Sequence, residues 1–178
     1  VLAGIPTVAI GLFALTALKP FLENFIPALN SVPFAAGVAG LAIGLMIVPI
    51  IASISDDAMR SVPQGLREAS FGLGATKSKT ATRVIVPAAM SGIVASIVLA
   101  GSRAIGETMI VLLAAGNTPN MDFSFSSSVQ TMTTFIATTG TGDIATGTIT
   151  YKTIFAVGAL LFVMTLILNA ISIRLVRK

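Results

Sequence analysis

Two ionisable residues lie inside a long apolar stretch of this sequence and are the residues best placed to do chemistry. Arg103 and Glu107 are four positions apart in the otherwise uncharged run 88–115. On a continuous helix they would share one face, and an unpartnered charge at a bilayer centre costs about 2.5–3.5 kcal/mol. A guanidinium has a fork geometry that suits an oxyanion. The pair therefore predicts either an ion pair that fixes packing or part of an anion pathway, and the sequence leaves both interpretations open.

The same helical face carries small residues before it reaches the charged pair. At about 100° per residue, Gly92, Ser96 and Ala100 fall in the sector of Arg103 and Glu107. Small side chains let a second helix approach closely in lipid, where hydrophobicity alone does not drive helices together. We therefore expect this face to meet protein or an aqueous path.

Composition indicates the surroundings of this stretch. The 178 residues are 54% hydrophobic and 10% charged, with a mean hydropathy of +0.95, whereas soluble domains carry about 25% charged residues. We predict an integral protein of the lipid bilayer. The chain has no Cys and no His, which removes thiolate chemistry and the most common metal ligand. We expect no enzyme active site, no metal site and no cofactor bound by this chain.

Four apolar runs, of which only the third carries charged residues, predict an all-α, polytopic transmembrane helix bundle with about four spans. They lie at residues 1–18, 34–55, 88–115 and 153–173, each near the length that a bilayer requires. Residues 19–33 contain three prolines and predict an external connection, either irregular or with a short interfacial helix, rather than one continuous helix. We expect a single transmembrane domain over residues 1–178.

The basic residues predict the orientation. Eight of the eleven Lys and Arg residues lie within 60–83 and 174–178, and cytoplasmic loops are enriched in Lys and Arg. We interpret this clustering as a topology signal and not as a nucleic-acid site. It predicts a cytoplasmic segment 56–87, an external loop 116–152 and a cytoplasmic C-terminus that includes Arg174, Arg177 and Lys178.

The segment 56–87 is the longest polar stretch and predicts two helices joined by a turn. We expect Ser61 to cap the first helix, Gly72 and Gly74 to supply left-handed backbone, and Thr76 to cap the second. A DNA-reading helix-turn-helix is disfavoured because a long apolar helix follows at once. We predict a docking element.

Two shorter patterns lie in the predicted external loop. Residues 127–130 predict a capping box that begins a short external helix. Residues 138–142 predict a turn and not a phosphate-binding loop, because they lack the Lys of a P-loop.

The segment 56–87 resembles the EAA loop of ABC-transporter permeases, written EAA-x3-G-x9-I-x-L-P. Glu68, Ala69, Gly74 and Pro87 match that pattern, and Ser70 departs from it conservatively, as do residues 84 and 86. The resemblance implies a MetI-like permease core whose hairpin 56–87 seats on an ATPase subunit. The coupling residues that it implies are Glu68, Ala69, Ser70, Gly74, Ala75 and Pro87.

Residues 101–109, GSRAIGETM, resemble the R-A-x-G-E-T segment of phosphate-import permeases. The Met after Thr is more similar to the PstC type than to the PstA type, and residues 2–6 and 130–133 agree with this resemblance. It implies a phosphate pathway at Arg103 and Glu107, with Ser102 and Thr108 beside them. It also implies that the family's first spans precede residue 1.

The implied machine is an importer of the bacterial inner membrane. Its other parts are a second homologous permease subunit, two ABC ATPase subunits that use ATP, and an extracytoplasmic phosphate-binding protein. Another oxyanion, such as molybdate, sulfate or phosphonate, stays open as cargo. In a different class, an ATP-independent ion-coupled carrier or channel stays open as well.

Overall fold

A computed structural model describes residues 5–121 and 124–176, with side chains through residue 174. The described residues form helices and connections without strands, which confirms the predicted all-α fold. The helices are α1 (residues 7–23), α2 (Ala36–Arg60), α3 (Gln64–Gly72), α4 (Lys77–Ala88), α5 (Met90–Ile105), α6 (Met109–Ala114), α7 (Met132–Gly140) and α8 (Ile149–Val176). A 3-10 turn at Pro27–Leu29 lies between α1 and α2.

The described residues contain fewer spans than the sequence predicts. α2 and α8, with 25 and 28 residues, are long and apolar enough to cross a membrane. α4 and α5 make a third candidate if the pair, bent by 66°, counts as one span. α1 is only about 26 Å long at 1.5 Å per residue, short of a 30 Å hydrocarbon core. Residues 1–4 of the predicted first span lie outside the described residues.

The segment 19–33 is not one continuous helix, as predicted, and its first residues, Lys19–Glu23, are helical and continue α1 past Pro20. This last segment of α1 follows a π-helical turn at Ala14–Leu18. Proline lacks an N–H and its ring crowds the preceding turn, and a π turn widens the helix locally. Lys19 and Glu23 form an ion pair along this last turn. The connection therefore begins at Asn24.

α2 and α5 pack closely through small residues. The hydroxyls of Ser55 and Ser96 lie 2.9 Å apart, and a Cβ added to Gly92 would lie 2.5 Å from the Cβ of Ala58. Ser96 and Ala100 are fully buried. The prediction that this face of the third apolar run meets protein is confirmed, and its partner is α2.

The core lies where the short helix α6 packs between α1 and α2. Its buried apolar residues are Ala14, Leu29, Ala35, Val38, Ala39, Ala42, Met46, Ile110, Val111, Ala114 and Ala115. The amide of Ala35 donates to the carbonyl of Ala114 at 2.9 Å, and the amides of Ala36 and Gly37 donate to residues 127 and 125. These bonds hold the loop after α6 at the Ala36 end of α2. Since α2 is about 37 Å long, this end is far from segment 56–87.

A short helix, α7, lies in segment 116–152 as predicted, but its cap differs from the predicted one. The capping box joins Thr131 and Thr134, whereas the hydroxyl of Ser128 donates to the carbonyl of Ala115 at 2.8 Å. α7 packs against α8 and α6. It includes residues 138–140, so the predicted turn at 138–142 is wrong for those three residues.

Candidate functional site

The third apolar run is not one helix, so Arg103 and Glu107 do not share a helical face. α5 ends at Ile105, with Gly106 as its C-cap, and α6 begins at Met109. The carboxylate Oε1 of Glu107 accepts hydrogen bonds from the amides of Met109 at 3.1 Å and Ile110 at 3.2 Å. Glycine is a poor helix interior residue, and an acceptor that satisfies the free amides of a helix start favours a new helix. Glu107 therefore caps the start of α6 from two residues before its first residue.

Glu107 is buried in this turn. Its residue is 8% exposed, and its carbonyl accepts a hydrogen bond from the hydroxyl of Thr133 in α7 at 3.0 Å. The hydroxyl of Thr108 donates locally to the carbonyl of Gly106 at 3.2 Å. Glu107 thus connects the start of α6 to α7, and these bonds fix the position of the two helices relative to each other.

The predicted Arg103–Glu107 ion pair is wrong for the described residues. Their two salt bridges are Lys19–Glu23 and Arg60–Asp56. Arg103 is exposed and has no ion-pair or hydrogen-bond partner within the described part of the chain. Its guanidinium is thus free to meet an anion.

Arg103 lines a pocket of about 500 Å³ where α2, α5 and α8 meet. The hydroxyl of Ser102 donates to Oδ1 of Asn169 across this pocket at 3.4 Å. The lining residues are Ile50, Leu99, Ser102, Arg103, Thr165 and Asn169. One cation, two hydroxyls and one amide face apolar walls without a lining acid, so the pocket favours anions over cations.

The pocket lies near the middle of the α2 span. Ile50 is ten residues from Arg60 and fourteen from Ala36, which corresponds to about 15 Å and 21 Å along the helix. An ionisable residue at such a depth generally marks a substrate or ion pathway. The structure thus separates the four predicted pathway residues: Ser102 and Arg103 line the pocket, whereas Glu107 and Thr108 form the turn above it.

The sequence interpretation missed Thr165 and Asn169. They lie four residues apart in an apolar span, hence on one helical face. An amide inside a span generally needs a polar partner. That spacing was the available signal, although it does not identify α5 as the neighbour.

The hairpin 56–87 has the predicted two helices, with one corrected cap. α2 extends to Arg60, and Ser61 is its C-cap, so Ser61 does not cap α3. Gly74 has φ +78°, as predicted for the turn, whereas Gly72 is helical. The hydroxyl of Thr76 accepts from the amide of Lys79 at 3.4 Å and caps α4.

Side-chain hydrogen bonds hold this hairpin in one shape. Arg67 Nη2 donates to the carbonyl of Met59 at 2.6 Å, which connects α3 to the end of α2. The hydroxyls of Ser70 and Thr80 lie 2.9 Å apart and connect α3 to α4. Ser70, the residue that departs from the EAA pattern, thus has a structural role in the hairpin.

The hairpin also exposes apolar side chains at its tip. Leu66, Phe71 and Leu73 are 47%, 46% and 90% exposed, in a segment that is otherwise polar. Of the other predicted coupling residues, Glu68, Ala69, Gly74 and Pro87 are exposed, and Ala75 is partly buried. Exposed apolar groups rimmed by polar residues are typical of an interaction surface.

Comparison with known proteins identifies the family. The family described as "Binding-protein-dependent transport system inner membrane component" matches residues 1–178. The chain belongs to this family. The predicted ABC permease class and the multi-pass inner-membrane location are confirmed at this level.

Individual relatives of this family cover most of the chain. It is 38% identical over 164 residues to the probable ABC transporter permease protein YqgH of Bacillus subtilis, which covers 92% of the chain and 52% of that protein. It is 33% identical to the phosphate transport system permease protein PstC of Mesorhizobium japonicum (96% and 57%) and of Haemophilus influenzae (99% and 61%). These relatives confirm the predicted PstC resemblance. The chain spans between half and two thirds of their length, and no solved structure matches it.

Proposed function

We propose that this chain forms the membrane core of a permease subunit that imports inorganic phosphate by alternating access. The observation that carries the proposal is the Arg103 pocket, which holds an unpaired guanidinium near mid-span and has no lining acid. A guanidinium fork binds phosphate oxygens in bidentate fashion. Relatives that are named phosphate transport permeases align with 96–99% of the chain, which supports phosphate as the oxyanion.

The energy for transport comes, in this proposal, from ATP hydrolysis in two partner ATPase subunits. Leu66, Phe71 and Leu73 offer those subunits an apolar docking surface. Because Arg67 connects the hairpin to the end of α2, movement of the docked hairpin passes directly into the helix that lines the Arg103 pocket. A second homologous permease and an extracytoplasmic phosphate-binding protein complete the transporter.

The proposed orientation places the hairpin 56–87 and the end of α8 on the cytoplasmic side. Arg60, Arg67, Lys77, Lys79 and Arg83 give the hairpin its positive charge. The loop after α6 bonds to the opposite end of α2, which agrees with an external loop 116–152. Of the predicted basic C-terminus, Arg174 lies exposed in the last turn of α8, whereas Arg177 and Lys178 lie outside the described residues.

Radiolabelled phosphate uptake by the complete transporter in membrane vesicles tests this function. Arg103→Gln should reduce uptake to background, and Arg103→Lys should also impair it because an ammonium cannot reproduce the two-pronged contact. Lys152→Gln is the matched control, since Lys152 is an exposed cation at the far end of α8. Each rate is divided by the amount of assembled complex.

The competing functions predict different results in the same vesicles. Excess unlabelled sulfate, molybdate or phosphonate should leave phosphate uptake unchanged. The cargo assignment is wrong if labelled phosphate is not taken up while one of these other anions, labelled in its turn, is. Uptake without ATP would indicate an ion-coupled carrier. Normal uptake by an assembled Arg103→Gln complex would remove Arg103 from the pathway.

A further inference from the structure

Asn169 is the one amide side chain within the apolar part of α8. The polar residues between Lys152 and Arg174 are Thr153, Thr165, Asn169 and Ser172. Thr165 satisfies its own hydroxyl by donating to the carbonyls of Leu161 and Phe162 at 3.0 Å and 2.9 Å. A carboxamide cannot be satisfied so simply, because it carries two N–H donors as well as an acceptor. Its position in a span therefore needs a polar environment.

The described contacts occupy only the carbonyl end of this amide. The hydroxyl of Ser102 donates to Oδ1 of Asn169, whereas the N–H donors of Nδ2 have no partner in the described part of the chain. Asn169 is exposed and lines the pocket beside Arg103, so Nδ2 is accessible there. The hydrogen bond from Ser102 orients the amide, because it engages Oδ1, the acceptor atom that cannot bind an anion.

The pocket brings these donors together with a cation. Arg103 follows Ser102 in α5 and lines the same pocket as Asn169. A volume of about 500 Å³ corresponds to on the order of ten water molecules, which leaves room for a partly hydrated tetrahedral oxyanion. All five N–H groups of Arg and both of Asn are donors, and an oxyanion supplies acceptors.

We infer that Asn169 is a second anion-binding residue, whose amide Nδ2 in α8 donates to the same oxyanion that Arg103 binds from α5. This inference rests on the proposed phosphate function and extends its site to a second helix. Because the two donors belong to different helices, the site is complete only at the present separation of α5 and α8. A relative movement of these helices would dismantle the site and release the anion.

Charge-selective labelling of a cysteine at position 169 tests this inference without depending on transport rate. Residues 1–178 contain no cysteine, so Asn169→Cys adds one thiol to this segment of the complete, purified transporter, and the transporter without this substitution gives the labelling background. Anionic and cationic methanethiosulfonates of similar size are compared. The anionic reagent should react about tenfold faster, the lower end of electrostatic enrichment in a charged cleft. Inorganic phosphate should slow it, and Arg103→Gln should abolish the preference.

Ile167→Cys is the matched control on the same helix. Ile167 is 53% exposed, but it lies two residues from Asn169 and hence on nearly the opposite face. It should face lipid and react with neither charged reagent. Labelling is measured only on chains that copurify with the ATPase subunits, which excludes misfolded protein.

The possible results separate this inference from the proposed function. If the thiol of Asn169→Cys is as unreactive as that of Ile167→Cys, or reacts without charge preference, Asn169 does not line an anion site, and phosphate uptake by the wild type still supports the function. If the charge preference exists but sulfate protects and phosphate does not, the anion site stands and the phosphate assignment is wrong. Protection by phosphate that is lost in Arg103→Gln supports both.

Discussion

Removal of the Glu107 carboxylate should lower stability more than it lowers transport by each assembled complex. In Glu107→Leu, the amides of Met109 and Ile110 lose their shared acceptor. Ile110 is fully buried, so water cannot replace that bond, whereas Met109 is partly accessible. A buried unsatisfied amide costs about 1–3 kcal/mol, and the two together give about 2–4 kcal/mol. Glu107→Gln keeps an Oε1 acceptor and should cost only about 1 kcal/mol, because it loses charge assistance alone.

The assay is thermal inactivation of the detergent-solubilised transporter together with uptake per assembled complex. A loss of about 2–4 kcal/mol corresponds to a midpoint lower by roughly 5–12 °C for a chain of this size. Glu107→Gln should lie close to the wild type in both measurements. The capping role is refuted if Glu107→Leu leaves the midpoint unchanged. If Glu107→Gln assembles normally and fails to transport, the prediction that Glu107 acts on stability more than on transport is wrong, and its charge belongs to the pathway.

Three further predictions concern packing, coupling and topology. Gly92→Ala should force α2 and α5 apart at a cost of about 1–3 kcal/mol, and Ala58→Gly in the same chain should restore the yield of assembled transporter, whereas failure of that rescue would contradict the close contact. Gly74→Val places a β-branched residue at φ +78°, costs of order 1 kcal/mol or more, and should reduce substrate-stimulated ATP hydrolysis in assembled complexes, so normal stimulation would argue against hairpin coupling. A cysteine that replaces Asp143 should react with an impermeant thiol reagent in intact cells and one that replaces Lys79 should not, and the reverse would invert the proposed orientation.

Local signals predicted the hairpin 56–87 well. Gly74 needs only its own backbone to form a left-handed turn, and Thr76 needs only the amide three residues later. The prediction that Ser61 caps α3 was wrong because the end of α2 was judged from its last apolar residue. The helix instead continues through a polar turn to Arg60. A polar residue between two adjacent helices can be the C-cap of the first or the N-cap of the second, and its local sequence does not decide between them.

The candidate site was only partly predictable from sequence. The helical face with small side chains, which includes Gly92 and Ser96, was predicted correctly because both residues lie within one unbroken helix. The prediction that Glu107 lies on this same face was wrong. Placing residues at 100° intervals assumes a continuous helix, whereas α5 ends at Ile105. Gly106 followed by a capping side chain was a local signal for the break, but the apolar run on both sides outweighed it. The role of Asn169 could not be predicted from local sequence, because its partner Ser102 is 67 positions away.

The six residues of α6 have a consequence for the order in which the chain enters the membrane during synthesis. A helix of this length covers about 9 Å, so the insertion machinery cannot deliver it across a 30 Å hydrocarbon layer as an independent segment. Its free amides and carbonyls need protein partners at that depth, and these come from Glu107 at one end and Ala35 at the other. α6 must therefore settle after α1 and α2, the two helices between which it packs, are in place, so its docking is a late step in the assembly of this core.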